Sequence, residues 1–255
     1  KTGATIRNAS AKWASTLPLE FASLWSNLHP MDWQDEGIIL GTRRLGETSV
    51  IAELMTREHG RHQGLVKGGR SSKQQPLLQI GNHVAVTWRA RLDEHLGQYT
   101  MEAIEFSAAK LMESQMALNG MQLLASHLRL LPDRDPHPSL FEALIAIISH
   151  FDQPVLAVEF MARFELRLLE ELGFGLDLTE CAATGATQDL IYVSPKSGRA
   201  VCREAGKPWA DKLLTLPQFL EDRPGCGLDA PSAQAAWKLA AFFLERDVWK
   251  PRGIL

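Results

Sequence analysis

Three cysteines in 255 residues are few and odd in number. That excludes a secreted scaffold of paired disulfides and fits a reducing cytoplasm. Long apolar runs are missing too: no stretch approaches the roughly 20 residues that span a bilayer, so a soluble chain without membrane partners is expected. The usual catalytic signatures are also absent. There is no Gly-x-Ser-x-Gly elbow and no His-Glu-x2-His pair. The adjacent Glu170 and Glu171 lie on a helical stretch, where neighbours diverge by about 100° and cannot converge on one substrate. His59 and His62, with His83 and His95 beyond them, have no Cys or Glu at a ligand spacing, so solvated or hydrogen-bonded histidines are expected. The chain reads as a non-enzyme without a cofactor.

One near miss needs separate treatment. Gly64-Leu-Val-Lys-Gly-Gly69-Arg70-Ser71 falls one residue short of a phosphate-binding P-loop. Arg70 stands where the lysine should be, and Pro76 follows too soon for the long helix that a P-loop opens onto. Nucleotide hydrolysis is therefore set aside. The loop suits phosphate contact better, because its glycines let backbone approach closely while Lys67, Arg70 and Lys73 supply charge.

What the chain does have is an ordinary globular composition, 45% hydrophobic and 22% charged, in a length that accommodates two or three modules. The net charge of -3 hides a division. Between Ile38 and Leu92 nine basic residues face three acidic ones, which leaves the remainder at -9. A basic module on an acidic body suggests that the first meets a polyanion. Lys1 to Pro30 lacks the unbroken apolar core of a secretory signal and is read as an extension outside the fold.

From Met31 to Ser107 the pattern is that of short strands. Gly37–Leu45 and Thr48–Met55 flank a Gly46-Glu47 turn; Arg61–Val66, Asn82–Trp88 and Gly97–Glu105 follow. Five antiparallel strands, with a short helix after the Lys67–Lys73 loop, describe an OB-fold barrel. Trp88 beside Arg89 and Arg91, with Tyr99 on the next strand, interleaves aromatic and basic residues as single-strand binders do. Trp88 reads equally well as a plug in the barrel.

Beyond Phe106 the period becomes helical. Met112, Met116, Leu123, Leu124, Leu128 and Leu131 mark one helix, and Phe141, Leu144, Ile145 and Ile148 a second. A third starts at Pro154 with Met161, Phe164, Leu168 and Leu172, capped by Gly173. The resulting fold class is α+β: an N-terminal five-stranded barrel (31–107), a helical domain (108–178), a small insert (179–206) and a C-terminal helical part (207–255) with Trp237, Leu239, Phe242, Phe243 and Leu244. The insert has the frame Cys181-x2-Thr184, a spacer of zinc-ribbon length, then Cys202-x2-Ala205. Zinc needs four ligands. Two of the four corners are threonine and alanine, so a degenerate ribbon without metal is expected, with Cys181 and Cys202 as its remnants.

These residues resemble the RecO family of bacterial recombination mediators. The resemblance lies in Asp35–Leu40, Ser49–Leu54, Gly64–Gly68, the run Leu168–Leu178 into Cys181, Ser194-Pro195 with Gly198, and Phe242–Arg246. It covers about Met31 to Leu255. It implies an OB fold, a helical domain and a ribbon-like insert, and a cytoplasmic, nucleoid-associated role in DNA repair and recombination. Single- and double-stranded DNA would be bound, and complementary strands coated with single-stranded DNA-binding protein annealed. With RecR, such a protein helps load RecA. The resemblance carries DNA contact to Arg43, Arg44, Lys67, Arg70 and Lys73, with Trp88 and Arg89 added from the aromatic–basic pattern. The family's helical domain grips the acidic, Phe-ended tail of single-stranded DNA-binding protein. Arg163 and Arg167 could meet such a tail, although a solvated helix face is the plainer reading. From another class, an RNA-binding OB protein of translation or RNA metabolism fits the same strands and charges.

Overall fold

The computed structural model describes residues 31–221 and 229–254; the extension 1–30 and Cys226 lie outside them. The chain divides into two compact units. The first holds residues up to Leu54 and His62–Phe106. The second holds Ser107–Leu255 together with Met55–Arg61, the turn that joins two strands of the sheet.

Five strands build the first unit: β1 (Met31–Leu45), β2 (Ser49–Thr56), β3 (Arg61–Val66), β4 (His83–Ala90) and β5 (Gln98–Glu105). They close in the order β1-β2-β3-β5-β4. β4 pairs antiparallel with both β1 and β5, but β3 meets β5 in parallel, Leu65 opposite Gln98. The sheet is therefore not wholly antiparallel, as the strand pattern had suggested. Period-two alternation shapes β4: Val84, Val86, Trp88 and Ala90 face in, while Ala85 and Arg89 face out. The core gathers Ile39, Ala52, Leu54, Val66, Leu77, Val84, Val86, Trp88 and Tyr99. Residues 67–81 form successive turns rather than the expected short helix. Positive φ at Gly68 and Gly81 and the missing donor of Pro76 break any helical ladder.

Helices dominate the second unit. The single helix expected over Met112–Leu131 is two: α1 (Ala108–Met112) and α2 (Gln115–Leu128). Ser114 ends the first and caps the second, its hydroxyl accepting from the Ala117 N–H at 3.3 Å. Met112 and Leu123, expected on the apolar face, are exposed. α3 (Pro138–Ser149) and α4 (Pro154–Glu171) both begin on proline, where a missing N–H costs nothing. Gly173, at φ +85°, ends α4 while the Phe174 N–H reaches back to the Leu169 carbonyl at 2.7 Å. β6 (Leu190–Val193), β7 (Ala200–Cys202) and β8 (Leu214–Thr215) form a small sheet ordered β7-β6-β8, with the one-turn helix α5 (Arg203–Gly206) following β7. Asp229 caps α6 (Ala230–Phe243), which runs into a π-helical turn, Leu244–Trp249. No helix among the described residues is long and apolar enough to cross a membrane.

Candidate nucleic-acid interface

Arg43 and Arg44 occupy the last turnward residues of β1, past the buried run Gly37–Leu40, and both are exposed. Gly46 makes the turn at φ +63°. The loop after β3 is fastened to that turn. The Arg70 N–H donates to the Thr48 carbonyl at 3.0 Å, and its guanidinium donates to the Glu47 carbonyl at 2.5 Å. Gly69 is packed so closely that an added Cβ would lie 2.5 Å from Val50 Cγ2. Two basic segments distant in sequence thus adjoin at one end of the barrel. Arg43, Arg44, Lys67 and Lys73 have no carboxylate partner among the described residues, and each is exposed. Arg70 keeps its charge, but its donors are partly engaged in holding the loop.

Two of the seven expected contact residues do not join this group. Arg89 pairs in register with Asp32, at 3.8 Å, near the start of β1. Arg43 lies eleven residues further along that strand, about 35 Å of extended chain at ~3.3 Å per residue. Trp88 is a correction of a different kind. It is fully buried, stacked on Trp33 at 5.6 Å, and its indole N–H donates to the Leu96 carbonyl at 3.0 Å. No ring face remains for a base, so Trp88 is the plug and not a stacking platform. Tyr99 is buried with it, its hydroxyl 2.8 Å from His62 Nδ1. The sequence held the clue, since Trp88 is in phase with Val84 and Val86 while Arg89 is not.

The local charge also needs correction. Counted from Met31 to Phe106 the basic and acidic residues stand at nine against ten, so the module is not positive as a whole. Asp32, Asp35 and Glu36 lie on the first half of β1, Asp93 and Glu94 between β4 and β5, and Glu102 and Glu105 on β5. Arg57 and Arg61 belong to the second unit, where Arg57 pairs with Glu142 and Arg61 with Asp133. The cations of the β1–β2 turn and the Lys67–Lys73 loop form the group; Arg89 and Arg91, exposed at the end of β4, lie apart from it among Asp32, Asp93 and Glu94.

In the second unit Arg163 pairs with Glu159 and donates to the Phe219 carbonyl, and Arg167 pairs with Glu170 and Glu171. Both guanidinium groups are thus engaged, by carboxylates of their own helix and by Phe219 and Ser139 outside it, rather than simply solvated. Cys181, Thr184 and Cys202 do come together. The Cys202 N–H donates to Cys181 Sγ at 3.3 Å, and Thr184 Oγ1 lies 3.6 Å from Cys202 Sγ. Burial opposes ionisation of Cys181, but the Cys202 N–H, the Thr184 hydroxyl and the backbone of Ala183 and Thr184 outweigh it and bring the thiol down to about 6. Ala205 offers no ligand, and no cluster of three His, Cys, Asp or Glu fit for a metal exists among the described residues.

Comparison with known proteins agrees with this division of the chain. Residues 31–106 match the family model for the recombination protein O N terminal, and residues 123–253 that for its C terminal. The DNA repair protein RecO of Brucella abortus (strain 2308) is 62% identical over 225 residues, covering 87% of this chain and 90% of its own. Those of Mesorhizobium japonicum and Rhizobium johnstonii are 61% and 59% identical over 224 residues, each covering 88% of both chains. The strand ring, the helical second unit and these likenesses together place the chain in the RecO family of DNA repair proteins.

Proposed function

We propose that this protein binds DNA through Arg43, Arg44, Lys67 and Lys73, with Arg70 holding their two loops together, and anneals complementary strands. The single observation that carries the reading is this group of exposed cations without carboxylate partners among the described residues, on an OB-like barrel. Phosphates entering the group release condensed counterions, so binding is driven by charge and falls steeply with salt. Annealing then needs no covalent step. Base pairing provides the driving force, and the protein reduces repulsion between the backbones.

The family relationship supports the finer role: acting on strands coated with single-stranded DNA-binding protein, engaging that protein's acidic tail through the helical unit, and helping RecR load RecA in the cytoplasm at the nucleoid. Cys181, Thr184, Cys202 and Ala205 are read as a four-ligand zinc ribbon that has lost two corners, without metal or other cofactor. Elemental analysis is expected to give well under one zinc per chain; a stoichiometric ion would overturn that reading.

The decisive assay mixes complementary oligonucleotides, each precoated with single-stranded DNA-binding protein, without ATP. Acceleration of duplex formation by this protein is expected, and its absence sinks the annealing role. The same cations would serve an RNA-binding protein. Competition between matched DNA and RNA strands separates the two, with RNA preference favouring the alternative.

A further inference from the structure

Between α2, α4, α6 and the π-helical turn of the second unit lies a cavity of ≈ 410 Å³. That falls in the range of about 300–1,000 Å³ usual for small-molecule pockets. Its walls are apolar, and Leu123 and Trp237 stand exposed on its lining. Three polar side chains interrupt this lining, Asn119 and His127 from α2 and Glu165 from α4, and the last two are its only titratable groups. His127 and Glu165 are more than nine-tenths buried, at 3% and 7% exposure.

The histidine is not satisfied by its surroundings. His127 Nδ1 and Glu165 Oε1 are 3.8 Å apart, beyond hydrogen-bond reach, and neither His127 ring nitrogen has a hydrogen-bond partner among the described residues. Buried ring nitrogens without partners carry a cost that a fold rarely tolerates without use. The π-helical turn places Trp249 against His127, ring centroids 6.2 Å apart and planes within 20°. π-Helical turns are rare and concentrate at functional sites. An apolar chamber, an unsatisfied histidine beside a buried carboxyl and an irregular helix meet at one place.

We infer that this cavity binds a small amphipathic cation, an aromatic body of about indole size bearing an ammonium group, with Glu165 as the partner of the ammonium and His127 as a second hydrogen-bonding group. The apolar walls and Trp249 take the ring. Charge selects the ammonium over a carboxylate. Burial lowers His127 to about 4, so it is neutral at physiological pH and offers no positive charge to an acid. Burial raises Glu165 to about 7, so its proton is easily released when a cation arrives to stabilise the carboxylate. An acidic ligand would meet a second carboxyl and nothing to neutralise either. The site is independent of the proposed DNA-binding loops, which lie in the other unit.

The test uses the full-length protein and three indole probes that differ only in the end group: tryptamine (ammonium), tryptophol (hydroxyl) and indole-3-propionate (carboxylate). Calorimetric titration at pH 8 is expected to rank them in that order. Below pH 7 the affinity for tryptamine should fall about tenfold per unit, with near one proton released on binding, because Glu165 must ionise. Glu165→Gln, nearly the same shape, should weaken tryptamine about 10–100-fold and leave tryptophol unchanged. Equal or tighter binding of the propionate, a tryptamine affinity indifferent to pH and to Glu165→Gln, or no saturable binding of tryptamine up to about 10 mM would each overturn the inference. The pH profile requires no variant, so misfolding of Glu165→Gln cannot rescue or condemn it.

Discussion

In the second unit Arg61, Arg163, Arg167, Arg199, Arg203 and Arg246 lie 2.5 to 3.1 Å from carboxylate oxygens, whereas Arg43 and Arg44 in the first face none among the described residues. The residue type is the same and the employment opposite. A guanidinium already bonded to a carboxylate adds no net charge to its surroundings and releases little on meeting a phosphate. One without such a partner contributes its whole charge. A tally of arginines is therefore a poor guide to where a polyanion binds; the useful count is of cations left over after local pairing.

The comparison breaks most visibly in salt dependence. Replacing Arg43, Arg44, Lys67 and Lys73 together by Ala should lower affinity for single strands by about two to three orders of magnitude at 0.1 M salt and flatten the log-salt slope by ~0.7 per lost contact. Replacing Arg167, Arg203 and Arg246 should leave that slope in place. A loss of slope from the second set, and none from the first, would invert the assignment.

A smaller effect concerns charge inside the second unit. The folded protein holds the Glu165 proton more firmly than the unfolded chain, since burial raises this carboxyl from 4.5 to about 7. Stability from this group is full below pH 4.5 and is lost as pH climbs to 7. Glu165→Gln cannot ionise, so it should exceed the wild type by about 1–3 kcal/mol at pH 8 and by almost nothing at pH 4, measured by urea unfolding. His127 loses stability in the opposite direction, as pH falls from 6.5 to about 4, but does so in both proteins and cancels in the difference. An equal gap at both pH values would mean that Glu165 acts through packing alone.

Arg70→Lys is the finest probe. The charge survives, so the salt slope should not change. The bonds to the Glu47 and Gly46 carbonyls are lost, which should cost under about 1.5 kcal/mol and speed amide exchange at Arg70. A reduced slope would instead mean that loosening the clasp pulls the neighbouring cations off their phosphates.

Much of the architecture was legible because periodicity survives in the chain. The β4 alternation, proline at the start of α4 and glycine at its end are local signals, and each lies where the pattern puts it. Pairing of distant residues is not local, and there the reading fell short. That Arg57 and Arg61 answer to Glu142 and Asp133, more than seventy residues away, leaves no trace in a window of sequence. The buried pair of His127 and Glu165 is hidden for the same reason, since each looks like an ordinary polar residue on an amphipathic helix. Trp88 is the exception. Its phase was readable, and its neighbour Arg89 drew attention to the wrong side of the strand.

The clasp between Arg70 and the neighbouring turn has a bearing on how related chains can drift. A lysine ammonium at 67 or 73 needs only to be positive, so exchange with arginine there should be nearly neutral over evolutionary time. At position 70 a single guanidinium nitrogen, Nη1, donates to two peptide oxygens at the far end of a long side chain, a reach that the shorter lysine does not match. Relatives that lose the guanidinium at this point should also show altered length or glycine content in the turn it grips, so that the two segments vary as a pair.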